Sequence, residues 1–333
     1  MSRPAAGAPS LSIVVPAPAD AAALEATLVS VLENRPADCE IVVPHAFAYA
    51  DPWGIADEVR LLPAPPGSGL AACANVGIAA SAAPVVHVLA AGWLATPGWT
   101  DRPRELLAGT DVQAVVPVGV AAAADATIVS AGVRVTRGGR RVAVVPTARA
   151  GRLDPARVRA AGPTLEAGFW RADVLAAAGP GFATACGDWL ADADMAVSLA
   201  CLPGRVVVAP ESRVVCGAGR RRPRSFTAGL QAERLFWRSI PRGSPALALA
   251  GHAVEVVRDA LATAPLGTLP MLAGRIVALM QFGDYARRFA RLRAARRAAT
   301  TADVGTVRFD GPHAALAGPR RLETEPRPLR RSA

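Results

Sequence analysis

The chain has 333 residues, is 52% hydrophobic and 19% charged, and carries a formal net charge of +10. Every basic residue is arginine, which with the abundant Ala, Gly and Pro reads as codon bias; no RNA-recognition or helix-turn-helix pattern accompanies the charge, so nucleic acid is not an expected partner. Cys39, Cys73, Cys186, Cys201 and Cys216 have no CxxC spacing, MSRPAAGAPS has no signal-peptide core, and no uninterrupted apolar run of about 18 residues is present, which argues against a disulfide framework, a zinc site and a membrane span and fits a cytoplasmic setting.

In chain order, Leu11 to Val15 is an apolar run ending at Pro16, a buried strand. Asp20 then precedes AAALEATLVSVLEN, in which Leu24, Leu28 and Val31 recur at helical spacing, so Asp20 is the expected N-cap. Glu40 to Val43 is a second strand, which completes a βαβ unit, and VRLL at 59 to 62 is a third. GLAACANVGIAAS follows a flexible PAPPGSG, and then VVHVLAAGWLATPGW at 85 to 99 opens as a strand and breaks at Ala90, Ala91 and Gly92. Such a strand delivers a loop to its carboxyl end, where open α/β sheets keep ligands. Val112 to Val118 is another strand, and IVSAGVRVTRGGRRVAVV alternates around Gly138 and Gly139 as a hairpin. LDPARVRA is a short helix with Asp154 as N-cap, and CGDWLADADM places Asp188, Asp192 and Asp194 near a helix start. GRVVVAPESRVV is a bent strand or strand pair. Beyond residue 218 the pattern turns helical, ending in the basic amphipathic DYARRFARLRAARRAA.

LSIVVP, the glycine-led GLAACANVG, the Pro97-Gly98-Trp99 turn and DWLADADM, in this order, resemble the family 2 glycosyltransferases over about residues 11 to 218. The resemblance implies a GT-A-like α/β fold with a mostly parallel sheet flanked by helices: residues 1–218 as the transferase-like domain, 219–299 as a helical extension and 300–333 as a disordered tail. It also implies transfer of a sugar from a nucleotide-sugar donor to a glycan or lipid-linked acceptor. By residue matching, Pro16, Gly69, Asn75, Ala90 and Gly92 fall on nucleotide-binding positions, and Asp192 falls on the catalytic base with Asp194 beside it. The family's metal-binding aspartates fall on Ala90 and Gly92, its closing histidine on Cys216 and its arginine after the glycine on Ala74. The second strand gives Pro44 and His45 where acidic residues would stand, and Ala17, Pro18 and Ala19 follow the first. No cofactor is therefore expected, the family's Mg or Mn site having been lost.

Two uses of these residues stay open. In one, Arg220, Arg221 and Arg222, with Arg224 nearby, neutralise a departing diphosphate in place of a metal, Asp192 deprotonates the acceptor, and Phe169 and Trp170 line the acceptor site. In the other, the chain is a catalytically inactive binding or scaffold partner in polysaccharide assembly, Asn75 satisfies backbone groups, the three aspartates cap helices, and Phe169 and Trp170 are core. The C-terminal basic helix either touches an anionic membrane peripherally or packs on its own domain.

Overall fold

The computed structural model describes residues 8–122, 127–146, 152–239 and 244–305. The expected tail lies mostly outside them, at 306–333.

The apolar runs form strands, and their pairing sets the architecture. β1 (Leu11–Val14) lies parallel to both β2 (Cys39–His45) and β4 (Val85–Leu89), and β2 lies parallel to β3 (Arg60–Pro63). β10 (Ala167–Arg171) runs antiparallel between β4 and β6 (Val112–Val120), and β11 (Arg205–Val215) runs parallel to β6. The order is β3-β2-β1-β4-β10-β6-β11-β5, with β5 at Leu94–Ala95 and β7 (Ile128–Ser130) pairing with β6. Because β10 is antiparallel to both neighbours, β4, β6 and β11 all point the same way. Their carboxyl ends, and the amino end of β10, share one edge of the sheet.

All residues of β1, β4 and β6 are buried, as expected of strands covered on both faces. That burial includes a histidine. His87 is 0% exposed, stacks on Phe169 at 3.8 Å, donates from Nδ1 to Gly168 O (2.8 Å) and accepts at Nε2 from Trp99 Nε1 (3.0 Å). This pairing fixes the neutral Nδ1-H tautomer, and burial pushes the imidazole down to about 3.

α1 (Ala21–Asn34) is capped by Asp20, whose carboxylate accepts from Ala22 and Ala23 N–H. α2 (Leu70–Ala80), α3 (Asp101–Leu107) and α4 (Ala172–Ala178) also flank the sheet. The glycine-turn hairpin is β8 (Val133–Val135) and β9 (Arg141–Ala143), and Asp154 caps a short 3-10 turn at Pro155–Arg157. α5 (Gly187–Leu199) is buried from Leu190 to Leu199. The bent strand is β11, whose register shifts between Ala209 and Arg213. α6 (Ser225–Ser239), α7 (Pro245–Thr263), α8 (Thr268–Leu279) and α9 (Phe282–Gly305) follow; α9 continues six residues past the start expected for the tail.

Candidate functional site

The site begins at the break after β4. Ala90 N–H donates to Glu166 O (2.8 Å), Ala91 N–H to Pro16 O (3.1 Å), and Gly92 N–H to Ala23 O (2.9 Å) and Thr27 Oγ1 (2.8 Å). Gly92 has φ +88°, the left-handed turn that folds the loop back onto the first turn of α1. Three amides that could face an anion are thus spent on the protein itself.

Beside this loop four charged side chains from four segments converge. Asp192 (α5) is 0% exposed and takes a two-pronged pair from Arg141 (β9), Nε to Oδ1 at 2.9 Å and Nη2 to Oδ2 at 2.8 Å. Arg220, emerging from the carboxyl end of β11, donates Nη2 to Asp192 Oδ2 and Nε to Glu166 Oε1, both at 2.5 Å, and Nη1 to Asp188 O. Glu166 enters from the residue before β10. Burial works to raise the Asp192 carboxyl, but Arg220 and Arg141 outweigh it and hold it below the ordinary carboxylate value. Burial likewise opposes the charge on Arg220, and Asp192 and Glu166 override it to raise that group.

A cleft of ≈ 210 Å³ adjoins the cluster, lined among others by Arg141, Trp189, Arg222, His252 and Glu255. The Arg141 guanidinium lies 5.3 Å over the Trp189 ring. Arg222 is exposed and pairs with Asp259 (3.1 Å), while Arg221 and Arg224 stand exposed. Only Arg220 of the basic run turns inward.

The glycine-led segment is drawn together by long-range contacts. Asp188 accepts from the N–H groups of Leu70 and Ala71, both at 2.9 Å, so it caps α2 from a distance of more than a hundred residues. A Cβ on Gly69 would meet that carboxylate, and one on Gly77 would strike Val14. Asn75 donates to Phe182 O (2.8 Å) and accepts from Phe182 N–H (2.7 Å), clamping the loop before α5.

Asp194 lies on the same helix as Asp192 but serves a second cluster. Arg238 of α6 donates to both its oxygens (2.6 and 3.0 Å), and Arg288 of α9 reaches Asp194 Oδ2 (2.9 Å) and Ser198 Oγ (2.6 Å). Asp192 and Asp194 are therefore interior residues of α5, held by arginines; they are not first-turn caps. Phe169 and Trp170 are both 0% exposed, Phe169 stacked on His87 and Trp170 set edge-on to Phe182, so both stand in the core.

Sequence reasoning missed Arg141, Glu166, Arg238 and Arg288. Their partners lie far away in the chain, and the only local signal was the Arg-Arg pair after the hairpin glycines. Ala90 and Gly92 bring no ligating side chain, the Asp192 and Glu166 carboxylates already face Arg220, and among the described residues no three His, Cys, Asp or Glu side chains gather as a cation site.

No protein-family model matches the chain, and no curated protein matches it. Solved structures do. S. aureus TarS (residues 1–349) aligns at 12% identity and TM-score 0.56, covering 90% of this chain and 94% of that one. GalNAc-T7 with UDP, GalNAc and Mn2+ aligns at 14% identity and TM-score 0.55 over 71% of this chain; the chain spans about half (49%) of that protein. The mannosyltransferase PcManGT from Pyrobaculum calidifontis in complex with GDP-Man and Mn2+ aligns at 17% identity and TM-score 0.49, covering 88% of each. At these identities the likeness is one of fold, and the fold is the GT-A type, a mostly parallel curled sheet flanked by helices.

Proposed function

We propose that the chain is a family 2 glycosyltransferase by descent that no longer transfers sugar, and that it acts as a binding or scaffold partner in polysaccharide assembly. One observation carries the reading: every acceptor site on Asp192 is taken. Oδ1 accepts from Arg141 Nε and Ala193 N–H, and Oδ2 accepts from Arg141 Nη2 and Arg220 Nη2. A carboxylate has about four lone-pair positions. A general base needs one of them within hydrogen-bond reach of the acceptor hydroxyl, and a proton affinity matched to the task. In this arrangement Asp192 has no open acceptor position, and Arg220 and Arg141 hold its pKa below the ordinary carboxylate value. Arg141 and Arg220 balance the charges of Asp192 and Glu166.

A second reading is favoured by the cleft beside Arg141. If Arg141 and Arg220 turned from Asp192 to a nucleoside diphosphate, with Arg221 and Arg222 assisting, the protein would be a metal-independent transferase with Asp192 as base, and Trp189 would stand where Phe169 and Trp170 were expected to meet the acceptor. Incubation of the purified protein with UDP-, GDP- and TDP-sugars, with and without manganese, separates the two. The expected outcome is no nucleotide release, with at most weak, manganese-insensitive binding. Release that Asp192→Asn abolishes while donor binding persists would establish the second reading, and tight manganese-dependent binding would overturn both.

A further inference from the structure

Twelve of the seventeen large apolar residues exposed among the described residues fall between Leu247 and Phe282. They follow helical geometry. On α7, Leu247, Val254, Val257 and Leu261 recur at spacings of seven, three and four, which puts them on one face. On α8, Leu269 and Ile276 recur seven apart and Met280 follows four later, while Met271, Gly274, Arg275 and Ala278 are buried on the other side. Between the helices Leu266 is 90% exposed, and Leu269 (78%) and Met280 (84%) mark the two ends of α8. Soluble monomers rarely leave apolar patches larger than roughly 300–600 Å². The exposed apolar residues of α7 and α8 are concentrated on a two-helix face rather than scattered singly.

The charges sort themselves around this face. The carboxylates of α7 turn inward, Glu255 to Arg140 (2.9 Å) and Asp259 to Arg275 (2.6 Å), whereas Arg258 stays exposed among Val254, Val257 and Leu261. Arg287, Arg291, Arg293, Arg296 and Arg297 on α9 are exposed beyond Phe282. Among the described residues no helix is long and apolar enough to cross a membrane. The C-terminal basic helix, for which the sequence left membrane contact and packing on its own domain both open, buries Tyr285 and Leu292.

We infer that the α7–α8 face docks in the plane of an anionic lipid bilayer, its apolar side chains entering the headgroup boundary and Arg258 meeting acidic headgroups. A second copy of the chain is the poorer occupant, because a two-fold contact centred on this face would set Arg258 of one copy near Arg258 of the other. The inference is independent of whether sugar is transferred.

Sedimentation of the full chain with vesicles tests it. The protein should pellet with phosphatidylcholine vesicles containing phosphatidylglycerol, and several-fold less with phosphatidylcholine alone. The exposed double substitution Leu261→Glu and Ile276→Glu should lower binding about tenfold at unchanged thermal unfolding, and Arg258→Glu should lower it less and weaken its salt sensitivity. The idea is overturned by wild-type protein that stays in the supernatant with both vesicle types, by equal binding to neutral and acidic vesicles, or by a double variant that binds as well as wild type. A concentration-dependent dimer that the double variant abolishes, without vesicle binding, would hand the face to a second copy.

Discussion

Two carboxylates two residues apart on α5 hold opposite sides of the molecule together, and their surroundings differ in charge balance. Around Asp192 two guanidinium groups, Arg141 and Arg220, meet two carboxylates, because Glu166 shares Arg220. Around Asp194 two guanidinium groups, Arg238 and Arg288, share one carboxylate and a serine hydroxyl. The first cluster is neutral and closes the sheet edge, tying the β8-β9 hairpin and the segment after β11 to α5. The second carries surplus positive charge and pins α6 and α9 to the same helix. Burial lowers the affinity of Arg288 for its proton and outweighs the opposing pull of Asp194, and the nearby Arg238 adds to the lowering.

The largest effects should come from removing either carboxylate, and their order tests the comparison. Breaking a buried pair by deleting one partner costs roughly 3–5 kcal/mol, because a charge is left uncompensated. Asp194→Ala strands two arginines with no other carboxylate and should fall at about 5 kcal/mol. Asp192→Ala leaves Arg220 paired with Glu166 and should fall nearer about 3 kcal/mol. Urea unfolding measures both, and hydrogen exchange locates them: Asp194→Ala should expose amides of α6 and α9, Asp192→Ala those of β8, β9 and residues 216–220. Equal losses, or the reverse order, would show that charge balance does not distinguish the clusters.

Beneath the sheet edge the next effect is pH-dependent. His87 titrates at about 3 in the folded chain against 6.5 for an ordinary histidine. Its folded value is the lower one, so its contribution is complete above pH 6.5 and is lost as pH falls from 6.5 toward 3. Each unit in that window costs about 1.4 kcal/mol, or roughly 2.7 kcal/mol by pH 4.5. The difference in slope between the wild type and His87→Gln over pH 6.5 to 4.5 isolates the core histidine. Urea midpoints should fall over that range in the wild type and stay flatter in His87→Gln; parallel curves would remove His87 as the cause.

The sheet-forming runs, the Asp20 and Asp154 caps, the glycine hairpin and the C-terminal helices were legible because each is written in neighbouring residues. The direction of β10 was not: AGFWR reads the same parallel or antiparallel, and only its place between β4 and β6 buries both Phe169 and Trp170. The ionic clusters were illegible for a different reason. With arginine as the sole basic residue type and partners 28 to 94 residues away, no spacing singles out Arg141 for Asp192 or Arg288 for Asp194. Sequence identified Asp192 and Arg220 as residues to watch, with a substrate role and a structural role both open for Asp192; the folded chain pairs the two with each other.

The smallest expected effect sharpens that last point at the glycine-led segment, where residue types were visible and partners were not. Asp188→Ala removes two hydrogen bonds to the first turn of α2 and should cost about 1–2 kcal/mol, the range of a lost N-cap, although this cap comes from another helix. Gly69→Ala should destabilise because its Cβ would meet the Asp188 carboxylate. If that collision is what keeps residue 69 a glycine, the two changes cannot add: Gly69→Ala should cost less in the Asp188→Ala background than in the wild type, a coupling of at least about 0.5 kcal/mol in a double-mutant cycle. Strict additivity would mean that residue 69 is glycine for a ligand rather than for Asp188, and would return this segment to the nucleotide-binding role that its pattern suggested.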